Sequence, residues 1–175
     1  MRSSGLLELL FPCLTYFLEG KYGEDVYKYL SVADTLNNNK DKRLLDRAIL
    51  ASCLLYPILE REIEIKYLEE GVSPNFGQIV TLAHSVIHGV VSTSFSPFPK
   101  KLTGEVHFIL ITQYRFTPLG TKRHHRPNLL HHKEFDMAFK FLKVRSMADE
   151  RLLEDYNWWR HMYNNGYLHN ASNSN

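Results

Sequence analysis

The stretch L-L-D-R-A-I-L-A-S-C-L-L-Y-P-I-L-E, from Leu44 to Glu60, carries the strongest structural signal in the chain. Its apolar residues recur at spacings of three and four, the period of one face of an α-helix. They are Leu44, Leu45, Ala48, Ile49, Leu54, Leu55, Ile58 and Leu59. The pattern predicts a long buried helix that is kinked or restarted at Pro57 and ended by Gly71 as a C′ glycine.

Helical periodicity also governs the segments on both sides of this stretch. Asp25 is placed to cap one helix, and Ser73 followed by Pro74 is typical of the start of another. The remaining predicted helices are Lys100 to Phe116, Glu134 to Arg145 and Asp149 to Tyr163. The second of these has a predicted buried stripe, Phe135, Ala138, Phe139 and Leu142. The sequence from His107 to Thr112 also fits a β-strand, so a strand is the alternative to a helix for this segment. The expected fold class is all-α, an irregular multi-helix bundle.

The length of 175 residues favours one domain. We expect a helical domain over residues 1–166, with body-like helices in 1–96 and basic helices in 97–166, followed by a disordered polar tail over 167–175. No apolar run has the length of a membrane span. Cys13 and Cys53 lie in apolar helical patterns, so buried thiols and a cytoplasmic location are expected.

A basic block, Pro97 to Arg145, is the main functional signal of the chain. It holds ten Lys and Arg residues against three carboxylates, a formal charge of +7, whereas the residues before it sum to −3 and those after it to −2. Such an excess attracts polyphosphates, RNA above all, because each neutralised phosphate releases a condensed counterion. The basic block therefore predicts RNA binding, although a solvated charged surface would have the same composition.

Six cations of the basic block are the predicted RNA-binding residues: Lys100, Lys101, Arg115, Lys122, Arg123 and Arg126. Lys100 and Lys101 follow Pro99 at a predicted helix N-terminus, where free backbone N–H groups also favour a phosphate. Arginine suits bidentate phosphate contacts, and its planar group can stack on bases.

The histidines do not follow a recognisable metal-binding pattern, and no metal site is predicted. The pairs His124-His125 and His131-His132 have no nearby cysteine, which zinc sites usually include. His84 and His88 share a helix face, but H-S-V-I-H lacks the glutamate of a zinc protease, so both are predicted to be partly buried structural residues. A zinc-dependent hydrolase is thus a minor alternative.

The sequence also lacks a nucleophile elbow and a cysteine in a reactive setting. The lack of both favours a binding module over a self-sufficient enzyme. Near the C-terminus, Trp158 and Trp159 are adjacent, so one is predicted to face the core while the other lies at an interface or under a base.

Five segments are distinctive beyond their helical period. They are L-L-E-L-L-F-P-C-L at Leu6 to Leu14, A-S-C-L-L-Y-P-I-L-E at Ala51 to Glu60, F-P-K-K-L at Phe98 to Leu102, H-H-K-E-F-D-M-A-F-K-F-L-K-V-R-S at His131 to Ser146, and N-W-W-R at Asn157 to Arg160. In order and approximate separation they resemble the C-terminal helical region of bacterial poly(A) polymerase I, a class II polynucleotide adenylyltransferase related to the CCA-adding enzymes. The resemblance covers nearly the whole chain.

The resemblance implies an all-helical region that holds the 3′ end of a single-stranded RNA primer during polyadenylation. The family's catalytic head carries a Gly-Ser motif and paired Asp residues that hold Mg²⁺ for transfer from ATP, and neither has a counterpart here. We therefore expect no cofactor in this chain, no activity of the chain alone, and a catalytic nucleotidyltransferase segment elsewhere as a partner. The alternative is a helical protein-interaction or structural fragment without nucleic-acid binding, exposing apolar surface near Leu6 to Leu10.

Overall fold

The computed structural model describes residues 15–18, 20–38, 45–93, 98–119 and 127–172, which form a set of packed helices. The α-helices are α1 (Thr15–Leu18), α2 (Lys21–Asn37), α3 (Arg47–Ile63), α4 (Phe76–Thr93), α5 (Lys100–Phe116), α6 (Phe135–Ala148) and α7 (Leu153–Ser172). A π-helical segment, Glu64–Leu68, continues α3, and 3₁₀ turns cover Pro127–His131 and Glu150–Leu152. Within these ranges there is no strand, so the predicted all-α fold is confirmed and His107 to Thr112 is helical.

The central element of the bundle is α3, which packs against α2, α4, α5 and α6. The predicted apolar stripe is buried from Ala48 to Leu59, and Ser52, Cys53 and Tyr56 between its members are buried as well. Because neighbouring helices surround α3, it is buried all round rather than along one stripe. Burial also raises the pKa of the Cys53 thiol to about 12, which makes this cysteine unreactive at neutral pH.

Of the two alternatives predicted at Pro57, a kink or a restart, the structure excludes the restart, and the predicted end at Gly71 is confirmed. The helix is continuous from Arg47 to Ile63, so it does not restart at Pro57, because packing on both sides of the proline outweighs the lost backbone hydrogen bond. Gly71 has a φ of 72°. The N–H groups of Gly71 and Val72 donate to the carbonyl oxygens of Leu68 and Tyr67 at 3.0 and 2.9 Å, which is the Schellman arrangement expected around a C′ glycine.

Two helices begin at other residues than predicted. The second helix, α2, begins at Lys21, so Asp25 lies inside it and does not cap it. The fourth, α4, begins at Phe76 because Asn75 caps it: Asn75 Oδ1 accepts from the Gln78 N–H at 3.0 Å, and Gln78 Oε1 accepts from the Asn75 N–H at 2.8 Å. This reciprocal capping box provides acceptors for two backbone N–H groups at the start of the helix, which Ser73 followed by Pro74 does not do.

Gly23 permits close approach of the chain before α2. A Cβ atom at this buried position would lie 2.1 Å from the carbonyl oxygen of Leu18. We expect Gly23→Ala to lower the free energy of unfolding by about 1–3 kcal/mol, because the backbone must shift to relieve this overlap. The matched control is Gly104→Ala in α5, where the added methyl meets open space and the higher helix propensity of alanine should add up to about 1 kcal/mol. Urea unfolding measures both changes, and equal midpoints for the two variants would contradict this account.

The predicted domain limits at residues 96 and 166 stay predictions. The last helix, α7, extends to Ser172, beyond the second limit. The segment Leu6 to Leu14, which carries part of the family resemblance, lies outside the described residues. Among the residues described, no helix combines the length and the apolar character needed to cross a bilayer.

Candidate functional site

Two of the six predicted RNA-binding cations lie side by side at the start of α5. Lys100 and Lys101 are both exposed, and Pro99 is the N-cap residue. Lys101 Nζ is 3.7 Å from Glu105 Oε1, one turn further along the helix. The first N–H groups of a helix have no acceptor within it, so two ammonium groups and free backbone donors coincide at this end of α5.

The third described cation, Arg115, lies in the last turn of the same helix. Fifteen residues separate it from Lys100, which corresponds to about 22 Å along the axis. Its half-buried guanidinium lies over the ring of Phe76 on α4, 4.3 Å from the centroid. The structure therefore brings Lys100 and Lys101 together and places Arg115 at the opposite end of α5. Lys122, Arg123 and Arg126, with His124 and His125 between them, lie outside the described residues.

Three histidines meet between α4 and α5. The ring centroid of His84 is 5.9 Å from that of His88 and 6.3 Å from that of His107. The rings border a groove of about 380 Å³, hereafter the histidine groove, whose described lining residues include no acidic side chain. Its lining residues are His84, Ile87, His88, Val91, Ser92, Thr103 and His107.

The histidines of this groove are more accessible than the sequence predicts. His84 and His88 were expected to be partly buried, and both are exposed. The reason is that Ile79, Ala83 and Val86 lie on the other side of α4, which faces the core. Among the described residues, no group of three or more His, Cys, Asp or Glu side chains is arranged to hold a metal ion.

A second and larger concavity, about 740 Å³ in volume, lies where the start of α2 meets the ends of α3, α5 and α6. We call it the Arg145 cleft, because the guanidinium of Arg145 lies at its floor with only 5% of the side chain exposed. Arg145 Nη1 donates to Gln113 Oε1 at 3.3 Å and to Thr117 Oγ1 at 3.2 Å. The guanidinium also lies over the ring of Tyr56, 4.3 Å from the centroid. A cation of the basic block is thus part of the protein interior.

The charge of Arg145 is only partly compensated by its surroundings. Its Nη2 is 3.9 Å from Glu60 Oε1, and its buried Nε has no hydrogen-bond partner among the described residues. Burial acts to lower the pKa of the guanidinium, but Tyr56 and Glu60 outweigh it, so the pKa is raised and the charge is retained. Burial raises the pKa of Glu60, against the opposing effect of Arg145, and it also raises the pKa of Tyr56.

The Arg145 cleft is balanced in charge and differs in this respect from the histidine groove. Among the described residues that line it, four cations face four carboxylates: Lys21, Lys28, Arg145 and Arg151 against Asp25, Glu60, Glu64 and Asp149. Asp149 is held by Arg151 through bonds of 2.8 to 3.1 Å, and Glu64 accepts a hydrogen bond from Tyr22. None of the described predicted RNA-binding cations lines this cleft. Its composition does not suit a polyanionic strand.

Sequence reasoning missed the Arg145 cleft, although one signal for it was present. The buried stripe predicted for α6 ends at Leu142, and Arg145 follows three residues later at the same helical spacing. Burial of Phe135, Ala138, Phe139 and Leu142 confirms that stripe, and Arg145 continues it. The contact with Glu60 depends on how α6 packs against α3, which helical periodicity does not give.

Comparison with known proteins shows to which family this chain belongs. The family model described as "Polymerase A arginine-rich C-terminus" matches residues 83–172, which is just over half of the chain. The chain belongs to this family. No curated protein and no solved structure matches the chain. All nine histidines lie within the matched residues, as do Lys100, Lys101 and Arg145, so the poly(A) polymerase match includes the lysine pair and the histidine groove.

Proposed function

We propose that this protein is the RNA-binding C-terminal portion of a bacterial, cytoplasmic poly(A) polymerase. It would hold the single-stranded 3′ end of an RNA primer while a catalytic nucleotidyltransferase segment, not found in this sequence, adds adenylate from ATP. Mg²⁺ and ATP would belong to that segment, and this chain alone would be inactive. The main support is the exposed Lys100–Lys101 pair at the start of α5, the helix that supplies Thr103 and His107 to a groove with no acidic residue in its described lining, in a chain of the poly(A) polymerase C-terminal family.

The physical basis of the proposal is phosphate binding by the lysine pair. Lys100 and Lys101 add two positive charges to the donor-rich end of α5, and Glu105 neutralises only one of them. The remaining cations of the basic block, Lys122, Arg123 and Arg126, would extend the surface along the strand. Arg115 would contribute at the far end of α5.

The salt dependence of RNA binding tests this proposal. We expect the double variant Lys100→Gln/Lys101→Gln to bind labelled oligo(A) more weakly and to reduce the slope of log affinity against log salt by about 1.4, since each single-strand phosphate contact contributes about 0.7. Fluorescence anisotropy at several salt concentrations measures the slope. Lys21→Gln/Lys28→Gln is the matched control, because these exposed lysines line the charge-balanced Arg145 cleft. A flat salt response of the wild type, or an equal effect of both double variants, would contradict the proposal.

A protein-interaction role is the second candidate, and one feature favours it. Ile65, Leu68 and Val72 follow one another at the end of the α3 segment with 42 to 48% of each residue exposed. Such a cluster can form part of a contact with another protein segment. Sedimentation of the wild type and of an Ile65→Lys/Leu68→Lys variant distinguishes the two candidates. Self-association that this variant abolishes, without RNA binding by the wild type, would support the interaction role.

A further inference from the structure

The histidine groove has the dimensions and lining of a small-molecule subsite. Its volume of about 380 Å³ falls within the range of roughly 300–1,000 Å³ that is usual for ligand pockets. Ile87 and Val91 supply an apolar wall, and Ser92 and Thr103 supply hydroxyl groups. A planar ligand with an apolar face and polar edges matches this mixture.

The three imidazole rings that line the histidine groove are not stacked on one another. The His84 and His88 rings are inclined by 36° and the His84 and His107 rings by 76°, so no two of them are stacked on each other. His107 Nε2 is 3.3 Å from the carbonyl oxygen of Val80, which fixes that ring. Within the described residues, the side chains of His84 and His88 take part in no hydrogen bond. Histidine is one of the side chains on which unstacked RNA bases lie.

Lys100 lies on the side of α5 that also carries Thr103 and His107 of the histidine groove, and Lys101 is next to it in sequence. Thr103, one of the groove's lining residues, lies three positions after Lys100, and His107 lies four positions after Thr103. Residues at these spacings are neighbours on a helix surface. Along α5, the order from the helix end inward is therefore a cation, a hydroxyl group and an aromatic ring.

We propose that the histidine groove is a nucleotide subsite of the RNA surface, in which a base of the single strand stacks against His84 and His88 while the adjoining phosphate pairs with Lys100 and Lys101. This inference rests on the proposed RNA binding and adds to it the position at which a base, rather than the backbone, is held. The described lining of the histidine groove holds no carboxylate that would repel an approaching phosphate. The Arg145 cleft is lined by four carboxylates, which would repel it.

Comparison of two strands of equal length tests the inference in the full-length chain: oligo(A), and an otherwise identical strand with abasic positions. We expect the wild type to prefer the strand with bases, and His84→Ala/His88→Ala to reduce that preference by roughly five- to a hundredfold, the range of base–aromatic stacking. His84→Phe/His88→Phe keeps an aromatic surface and should retain most of the preference. His131→Ala/His161→Ala removes two exposed histidines outside the groove and is the matched control.

The outcomes separate this inference from the proposed function. If His84→Ala/His88→Ala leaves the preference for bases unchanged while Lys100→Gln/Lys101→Gln still weakens binding, the nucleotide subsite is wrong and RNA binding stands. If the wild type binds neither strand, both fail. Circular dichroism and the thermal midpoint confirm that each variant is folded, which the exposure of His84 and His88 leads us to expect.

Discussion

Arg145→Ala is expected to lower the free energy of unfolding by roughly 3–5 kcal/mol, the usual loss when one member of a buried charged network is removed. Gln113, which is fully buried, would lose the guanidinium that donates to its Oε1. The ring of Tyr56 would lose the group that covers it, leaving a cavity that its neighbours fill only in part. Urea unfolding followed by circular dichroism measures the change.

Two further variants show whether burial causes this loss. Arg151→Ala removes an exposed cation from the same cleft, together with its bonds to Asp149, and should leave the unfolding midpoint almost unchanged. Arg145→Met keeps a long side chain beside Tyr56 and should be less destabilising than Arg145→Ala, because it restores packing but not the hydrogen bonds. A midpoint for Arg145→Ala close to that of Arg151→Ala would show that the buried guanidinium does not stabilise the fold.

The position of Arg145 also changes how the charge of the basic block is understood. The sequence counts it among ten cations available to RNA, but its side chain is in the interior with Gln113, Thr117 and Tyr56. The described lining of the larger cleft beside it is charge-balanced, whereas that of the smaller histidine groove has no carboxylate and shares α5 with two exposed lysines. The larger of these two concavities is therefore not the better candidate for binding RNA.

Local sequence was sufficient for much of the helical structure. The helix α5 has the predicted bounds, Lys100 to Phe116, because Pro99 sets its start and an uninterrupted apolar period follows. Gly71 is the C′ residue that the pattern predicts, since its φ of 72° favours glycine. Ser73-Pro74 and Asn75 are both typical of a helix start, so residue type alone does not show which of them begins α4. The reciprocal hydrogen bonds between Asn75 and Gln78 make Asn75 the capping residue.

The candidate site was less accessible to such reasoning, because it depends on how helices pack. The pairing of Lys100 with Lys101 follows from their adjacency, and the shared face of His84 and His88 follows from their spacing. That His107 joins them depends on the packing of α4 against α5. The net charge of a segment likewise counts a buried and an exposed arginine equally, so it could not show that Arg145 is buried.

Trp159→Ala is expected to lower the free energy of unfolding by about 3–5 kcal/mol, because it deletes a large side chain of which only 2% is exposed. The Trp159 ring lies 4.8 Å from that of Phe116 and 6.2 Å from that of Phe135, and its Nε1–H donates to the Phe116 carbonyl oxygen at 3.3 Å. Through these contacts Trp159 attaches α7 to the end of α5 and to the start of α6. Truncation would therefore loosen the last helix as well as leave a cavity.

Trp158→Ala is the matched control, because the two residues are adjacent and identical in type. Trp158 is half-buried and meets Trp159 edge to face at 4.9 Å, so its truncation should cost clearly less stability. This difference agrees with the expectation that one tryptophan of the pair faces the core. Chemical unfolding monitored by the fluorescence of the remaining tryptophan compares the two variants directly. If Trp158→Ala is as destabilising as Trp159→Ala, the attachment of α7 cannot depend mainly on the contacts of Trp159 with Phe116 and Phe135.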